Sequence, residues 1–277
     1  MNTLAIARLT FLEARQRKLL WAGVLMGVAF LLIFSIGFYF IHQDIERNVG
    51  PTMTEMMAPN NFFLMAGLYV VNFLVVVLAV LISVDTIAGE VASGTIHTLV
   101  TKPLRRWEVV MGKWLGLAVM LSLFTLLLAA AMIGVVWAIA RYVPNNVLQG
   151  LALIVLEGIV VLSLSILGSA RLSTLTNGVV IFMFYGLAFI AGWVEQFGAL
   201  MRNSTATDIG ILISFLMPSE AMWKRAAYLM QPPLMRDLGI TPFSSASSPS
   251  SAMVMYTLGY TIVVLALAVR AFQRRDL

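Results

Sequence analysis

Glu157 is chemically the most misplaced side chain in this sequence. It lies near the middle of an apolar stretch, 147–170, that contains no other charged residue. An ionisable group at the centre of a bilayer costs at least ~2.5 kcal/mol on insertion scales, so it must be neutral, face a polar cavity or find a partner. Ser163, Ser165 and Ser169 follow it, and Asn72 holds a comparable place in the stretch 62–84. Two roles stand open for Glu157 and Asn72, the wall of a translocation path or a hydrogen bond between helices. Glu195, next to Trp193 at the end of a further apolar stretch, is expected at the membrane interface.

Little else in the chain could do chemistry on its own. There are no cysteines, and the two histidines, His42 and His97, lie at the ends of different segments. No paired acids, HExxH or Ser/His arrangement appears, so no catalytic residue is assigned. No glycine-rich phosphate loop of the GxxxxGK[ST] type occurs, so any ATP must be bound by another chain. Thioethers bind Cu(I), and 17 methionines are present, several of them around Met53, Met56, Met57 and Met65. Methionine is equally a filler of apolar packing, and without Cys or a recurring MxxM array no metal is expected.

The second chemical feature is the charged connection 85–113. Asp85 and Glu90 can cap helix N-termini or pair with downstream basic residues. Gly94 permits a sharp change of direction, Thr95 can cap a short apolar helix after it, and Pro103 suits a first helical turn. Arg105, Arg106 and Lys113 then fall where long basic side chains snorkel to headgroups. The pattern is that of a short surface helix between two rigid spans.

The elements that position these residues follow from composition. Hydrophobic residues make up 60% of 277 and charged residues 11%, against about 45–50% and about 25% in a soluble domain. Six stretches are long enough to cross ~30 Å of hydrocarbon, at about 19–41, 62–84, 114–140, 147–170, 178–197 and 252–272. Runs of this length are helices, not barrel strands, so the chain is expected to be an all-α membrane protein with one domain, 1–277. Before the first span, Ala5, Leu9 and Leu12 share a face, which predicts an interfacial helix.

Lys and Arg concentrate on one side, in the N-terminal segment, the 85–113 connection and the C-terminus, while the short opposite loops hold only Arg47 and Arg141. The positive-inside rule then puts both termini in the cytoplasm. The net charge of +5 reflects this topology and predicts no nucleic-acid partner. The outer loop 198–251 contains an apolar run, 209–217, and a helix, 220–230, expected as a re-entrant or surface-lying hairpin with Lys224, Arg225 and Tyr228 toward water or headgroups. A Ser/Pro linker follows, 242–251.

The stretch SVDTIAGEVASGTIHTLVTKPLRRWEVVMGKWLG, 83–116, resembles the most recognisable part of ABC transporter permeases of the type-2 exporter class. The matching elements are Asp85 and Glu90, Gly94-Thr95, the apolar 96–100, Pro103 with Arg105 and Arg106, and Gly112-Lys113. The six-span layout agrees, and within the class the chain is similar to the permease of nitrous-oxide-reductase maturation systems. The resemblance implies a coupling helix in 85–113 that docks on two cytoplasmic ATPase subunits carrying ATP and Mg, a second permease copy, and a bacterial or archaeal plasma membrane. It implies export of a substrate it does not identify. Two other readings remain: a subunit that transmits force to an outer-face partner without transport, and a secondary transporter using Glu157 as a proton site.

Overall fold

The computed structural model describes residues 3–49, 53–89, 105–238 and 249–274. Ten helices are bounded within them and no strand occurs among the described residues: α1 (Thr3–Gln16), α2 (Lys18–Val49), α3 (Met53–Ser83), α4 (Arg106–Ala140), α5 (Val147–Ser169), α6 (Thr174–Leu200), α7 (Ser204–Leu216), α8 (Ser219–Met230), α9 (Pro233–Leu238) and α10 (Ser251–Gln273). Six of them, α2 to α6 and α10, are long and apolar enough to cross a membrane. An even number of spans leaves both termini on one face, here the terminal face.

The six spans coincide with the six apolar stretches, but the helices outrun them. The first continues past residue 41 to Val49, the second begins at Met53 instead of 62, and the third begins at Arg106 instead of 114. Hydropathy marks where hydrocarbon begins, whereas a helix ends only where its backbone finds other partners.

Between lipid-immersed helices the hydrophobic effect supplies no attraction, so close approach of small residues and interhelical hydrogen bonds must hold the bundle. Span α5 is the most enclosed, packing against α3, α4, α6, α8 and α10, and it carries Glu157, Ser163, Ser165 and Ser169, all without exposure. Trp114 Nε1 of α4 donates to Ser163 Oγ at 2.9 Å, and Asn177 Nδ2 of α6 donates to the Ser165 carbonyl at 2.8 Å.

The interfacial helix α1 forms as expected, with a different inward face. Ile6, Thr10 and Ala14 are buried, whereas Leu9 and Leu12 point outward. Its seat is Gly112 and Gly116 of α4, a small-xxx-small pair. A Cβ at Gly112 would lie 2.6 Å from Ile6 Cβ, and one at Gly116 would lie 2.5 Å from the Ala7 carbonyl oxygen. The Gly112-Lys113 signature is therefore a helix-docking groove.

The 209–217 and 220–230 segments appear as α7 and α8. Helix α7 folds back along α6, while α8 enters between α5 and α6. Their orphan carbonyls are met by side chains: Tyr256 and Tyr260 of α10 donate to Phe215 and Leu216, and Asn146 Nδ2 and Arg236 donate to Leu229. Lys224, expected toward water or headgroups, is buried. Arg225 is half-buried and donates to the Pro249 carbonyl, and Tyr228 lies under the Arg236 guanidinium.

Because the Gly116 clash is with backbone, Gly116→Leu should unseat α1. Overpacking of this kind costs about 1–3 kcal/mol, so the variant should lose several degrees of Tm in detergent and become cleavable by protease within 3–16, while Leu9→Ala should not.

Candidate functional site

The charged connection is rooted in a heavily bonded turn. After α3, Val84–Gly89 would leave span-end backbone groups unpaired, and side chains of α4, α5 and α6 reach in to meet them, while others bond the Asp85 carboxylate. Ser169 Oγ at the end of α5 accepts from the N–H groups of Ile87 and Ala88, each at 3.0 Å. Lys113 Nζ of α4 donates to the Thr86 carbonyl at 2.9 Å, which is how a lysine only 4% exposed is tolerated. Thr174 at the start of α6 donates to Asp85 Oδ1 at 2.8 Å, and Asn177 Nδ2 reaches the Val84 carbonyl at 3.5 Å. Arg17, between α1 and α2, stands 3.9 Å from Asp85 Oδ2 and 2.7 Å from Glu13.

Of the residues assigned from sequence to ATPase coupling, Asp85, Arg105, Arg106 and Lys113 can be placed. Asp85 and Lys113 meet at the exit turn, Asp85 as an acceptor for Thr174 rather than as a helix cap. Arg105 precedes α4, its N–H accepted by Glu108 Oε2 at 3.2 Å. Arg106 donates to the Gln273 carbonyl at 2.9 Å, joining the start of the third span to the end of the sixth. Glu90, Gly94, Thr95 and Pro103 lie outside the described residues. Sequence reasoning named Ser169 only as a polar neighbour of Glu157 and passed over Thr174 and Asn177; the last, an amide opening an apolar span, was the legible signal.

The two span-centre polar residues meet. Asn72 Nδ2 of α3 donates to Glu157 Oε1 of α5 at 3.0 Å, with neither side chain reaching solvent or lipid. Gly158 allows this approach, with Val75 and Leu121 filling the space a side chain would take. Tyr69 and Tyr185 are in electrostatic reach of Glu157, and so is Glu220 from α8.

Helix α8 brings the third group. Lys224 Nζ lies 2.7 Å from Glu195 Oε2 and 3.0 Å from the Gly192 carbonyl, and both ion-pair partners are buried. Glu195 was expected at the interface; it is enclosed because α8 folds over it with a matching cation. Glu220, one turn before Lys224, packs on Gly192, where a Cβ would lie 2.5 Å from Glu220 Cγ. Burial pushes the Glu220 carboxyl up from 4.5 to about 7; Lys224 opposes the rise and Glu195 adds to it. Two buried carboxyls thus lie in electrostatic reach of one ammonium, which bonds Glu195 directly.

No group of three or more His, Cys, Asp or Glu that could hold a metal occurs among the described residues. The described site consists of interhelical hydrogen bonds and a buried ion pair. Six apolar helices, a pinned connection between the second and third, and a helical hairpin on the opposite face define a multi-pass membrane permease. Residues 4–277 match the model of the ABC-2 family transporter protein, and the chain belongs to that family. Membership makes it the membrane subunit of an ABC transporter and implies an ABC ATPase partner in general. A search of the curated proteins finds no match.

Two outcomes test this geometry. Asn72→Leu removes a donor and leaves Glu157 unpaired, a loss of about 1–3 kcal/mol, whereas Glu157→Gln keeps a partner; Tm in detergent should fall for the first and hold for the second. For Glu220, a raised folded pKa means that the folded state holds the proton more tightly. Stability is then fully present below pH 4.5 and lost as pH rises toward about 7. Thermal stability measured from pH 5 to pH 8 should decline in the native chain, with a flatter profile in Glu220→Gln.

Proposed function

We propose that this chain is the membrane half of an ATP-driven exporter, with its terminal face in the cytoplasm and the 85–113 connection as the input from the ATPase. The observation that carries this is the exit turn. A connection that merely joined two spans would need its own ends capped, yet Val84–Gly89 is bonded to α4, α5 and α6 at once. A push on that connection moves four helices as a unit, because α3 carries the turn and the others are bonded to it.

Arg105 and Arg106 stand at the far end of the same connection. With Glu90, Gly94, Thr95 and Pro103 they form the proposed docking element for one of two ATPase subunits, which hold ATP and Mg. A second copy of this chain completes the permease, the positive-inside distribution of Lys and Arg supports cytoplasmic termini, and the family likeness supports a bacterial or archaeal plasma membrane. The finer likeness to nitrous-oxide-reductase maturation permeases rests on the 83–116 motif and on the Pro218-Ser-Glu turn that opens α8.

A second reading, force transmission to an outer-face partner without transport, is favoured by α8 itself. It is an opposite-face helix anchored by a buried ion pair to the sixth of the helices, α6, that also holds Asp85 through Thr174. One rigid span therefore joins the input turn to the opposite face. Glu157, hydrogen-bonded to Asn72 and enclosed within the bundle, supports a positioning role over a proton-carrier role.

The test is co-purification with the partner ABC ATPase, in mild detergent. Arg105→Glu and Glu90→Ala should each weaken retention, with Arg105→Glu the more severe because it reverses an exposed charge without touching the bundle. Full retention of the ATPase by both variants removes the docking element from 85–113. Substrate-stimulated ATPase activity in liposomes favours transport, and activity that requires an outer-face partner favours the second reading.

A further inference from the structure

At the face opposite the termini, α2, α3 and the end of α4 enclose a cavity of about 340 Å³ lined by His42, Glu46, Met56, Met57, Asn60, Ile139, Ala140, Arg141 and Tyr142. Two i,i+4 pairs face each other across it, His42 and Glu46 on α2 and Met56 and Asn60 on α3, since residues four apart share a helix face. Asn60 is 4% exposed, and its buried Oδ1 has no hydrogen-bond partner; His42 Nδ1 is likewise buried without one. Buried polar atoms are nearly always paired, and these two orphans, one on α2 and one on α3, leave a hydrogen-bond donor to be supplied between the two helices.

The chemistry of that ligand follows from the wall. Asn60 Oδ1 is an acceptor, His42 Nδ1 accepts in the neutral imidazole, and Glu46 is an acceptor with a negative charge. A primary ammonium, with three N–H donors, suits all three. On the other wall Arg141 supplies the positive charge; its guanidinium lies over Trp137, 4.9 Å from the ring centroid, and its backbone holds φ 52. A non-glycine residue in this left-handed region is disfavoured, yet here it caps α4, and Arg141 is part of the cavity lining. Tyr142 is already committed to Asn61 Oδ1 at 3.1 Å and packs the floor.

We infer that this cavity binds a zwitterion in which a primary ammonium neighbours an anionic phosphate, the ammonium received by Glu46, Asn60 and His42 and the phosphate by Arg141. The same chemistry is found in a phosphoethanolamine lipid headgroup and in free phosphoethanolamine. The inference does not depend on coupling to an ATPase.

The experiment is native mass spectrometry of the delipidated full-length chain in mild detergent. It is titrated with phosphatidylethanolamine, phosphatidylcholine and phosphatidylglycerol of identical acyl chains, and separately with free phosphoethanolamine. A quaternary ammonium has no N–H donors and glycerol has no charge, so phosphatidylethanolamine should bind roughly tenfold tighter than either, the value of one lost charge-assisted hydrogen bond. Glu46→Gln, an exposed position that leaves packing intact, and Asn60→Leu should each abolish the preference. Preference for the lipid with both variants impaired assigns the headgroup; binding of free phosphoethanolamine that Glu46→Gln removes assigns the soluble source. Equal binding of the three lipids together with no binding of the free compound overturns the inference, and so does a preference that survives Glu46→Gln.

Discussion

The structure depends on what happens to backbone groups where the second span stops. In lipid every N–H and C=O must be satisfied internally, and a helix end is the one place where a span cannot satisfy its own. At Val84–Gly89 the solution is borrowed from neighbours: a lysine ammonium on a carbonyl and a serine hydroxyl on two amides. That choice buries Lys113, fixes the end of α5 against the end of α3 and brings Thr174 of α6 to Asp85. Once the turn is set, four helices have lost their freedom to slide past one another at this face.

The opposite face uses charge where the terminal face uses hydrogen bonds to backbone. Helix α8 enters the bundle only because Lys224 meets Glu195 and because Gly192 leaves room for Glu220. A buried pair of this kind contributes little net stability, and its loss of one partner is costly, so its value lies in fixing one arrangement. The same span, α6, touches the exit turn at its first residues and the ion pair near its end, so one continuous helix joins the two faces.

Much of this was legible in the sequence. The six spans, the interfacial N-terminal helix and the helices of the 198–251 loop came from hydropathy and helical periodicity, and the family likeness came from the resemblance of 83–116 to a known motif. The site was legible only in part. Glu157 and Asn72 stood out as polar groups in apolar stretches, but nothing in their spacing, 85 residues apart, said that they bond to each other. Lys224 and Glu195 misled in the same way: each stood where a charge ordinarily faces headgroups, and it took the fold of α8 over α6 to enclose both. Gly112 is the converse case, a motif residue noticed for its place in a pattern whose physical reason, a seat for Ile6, appears only once α1 is docked.

By itself the sequence determined the solvent. A chain with so few charges and such long apolar blocks can satisfy its backbone only as helices in a bilayer, whatever its packing, because that follows from local hydrogen bonding and transfer free energy. The tertiary structure decided which polar groups meet. In a membrane those meetings, with small-residue contacts, replace the hydrophobic effect as the source of specificity, and they join residues far apart in the chain. The exit turn joins the end of α3 to residues of α4, α5 and α6, and no window of sequence contains it.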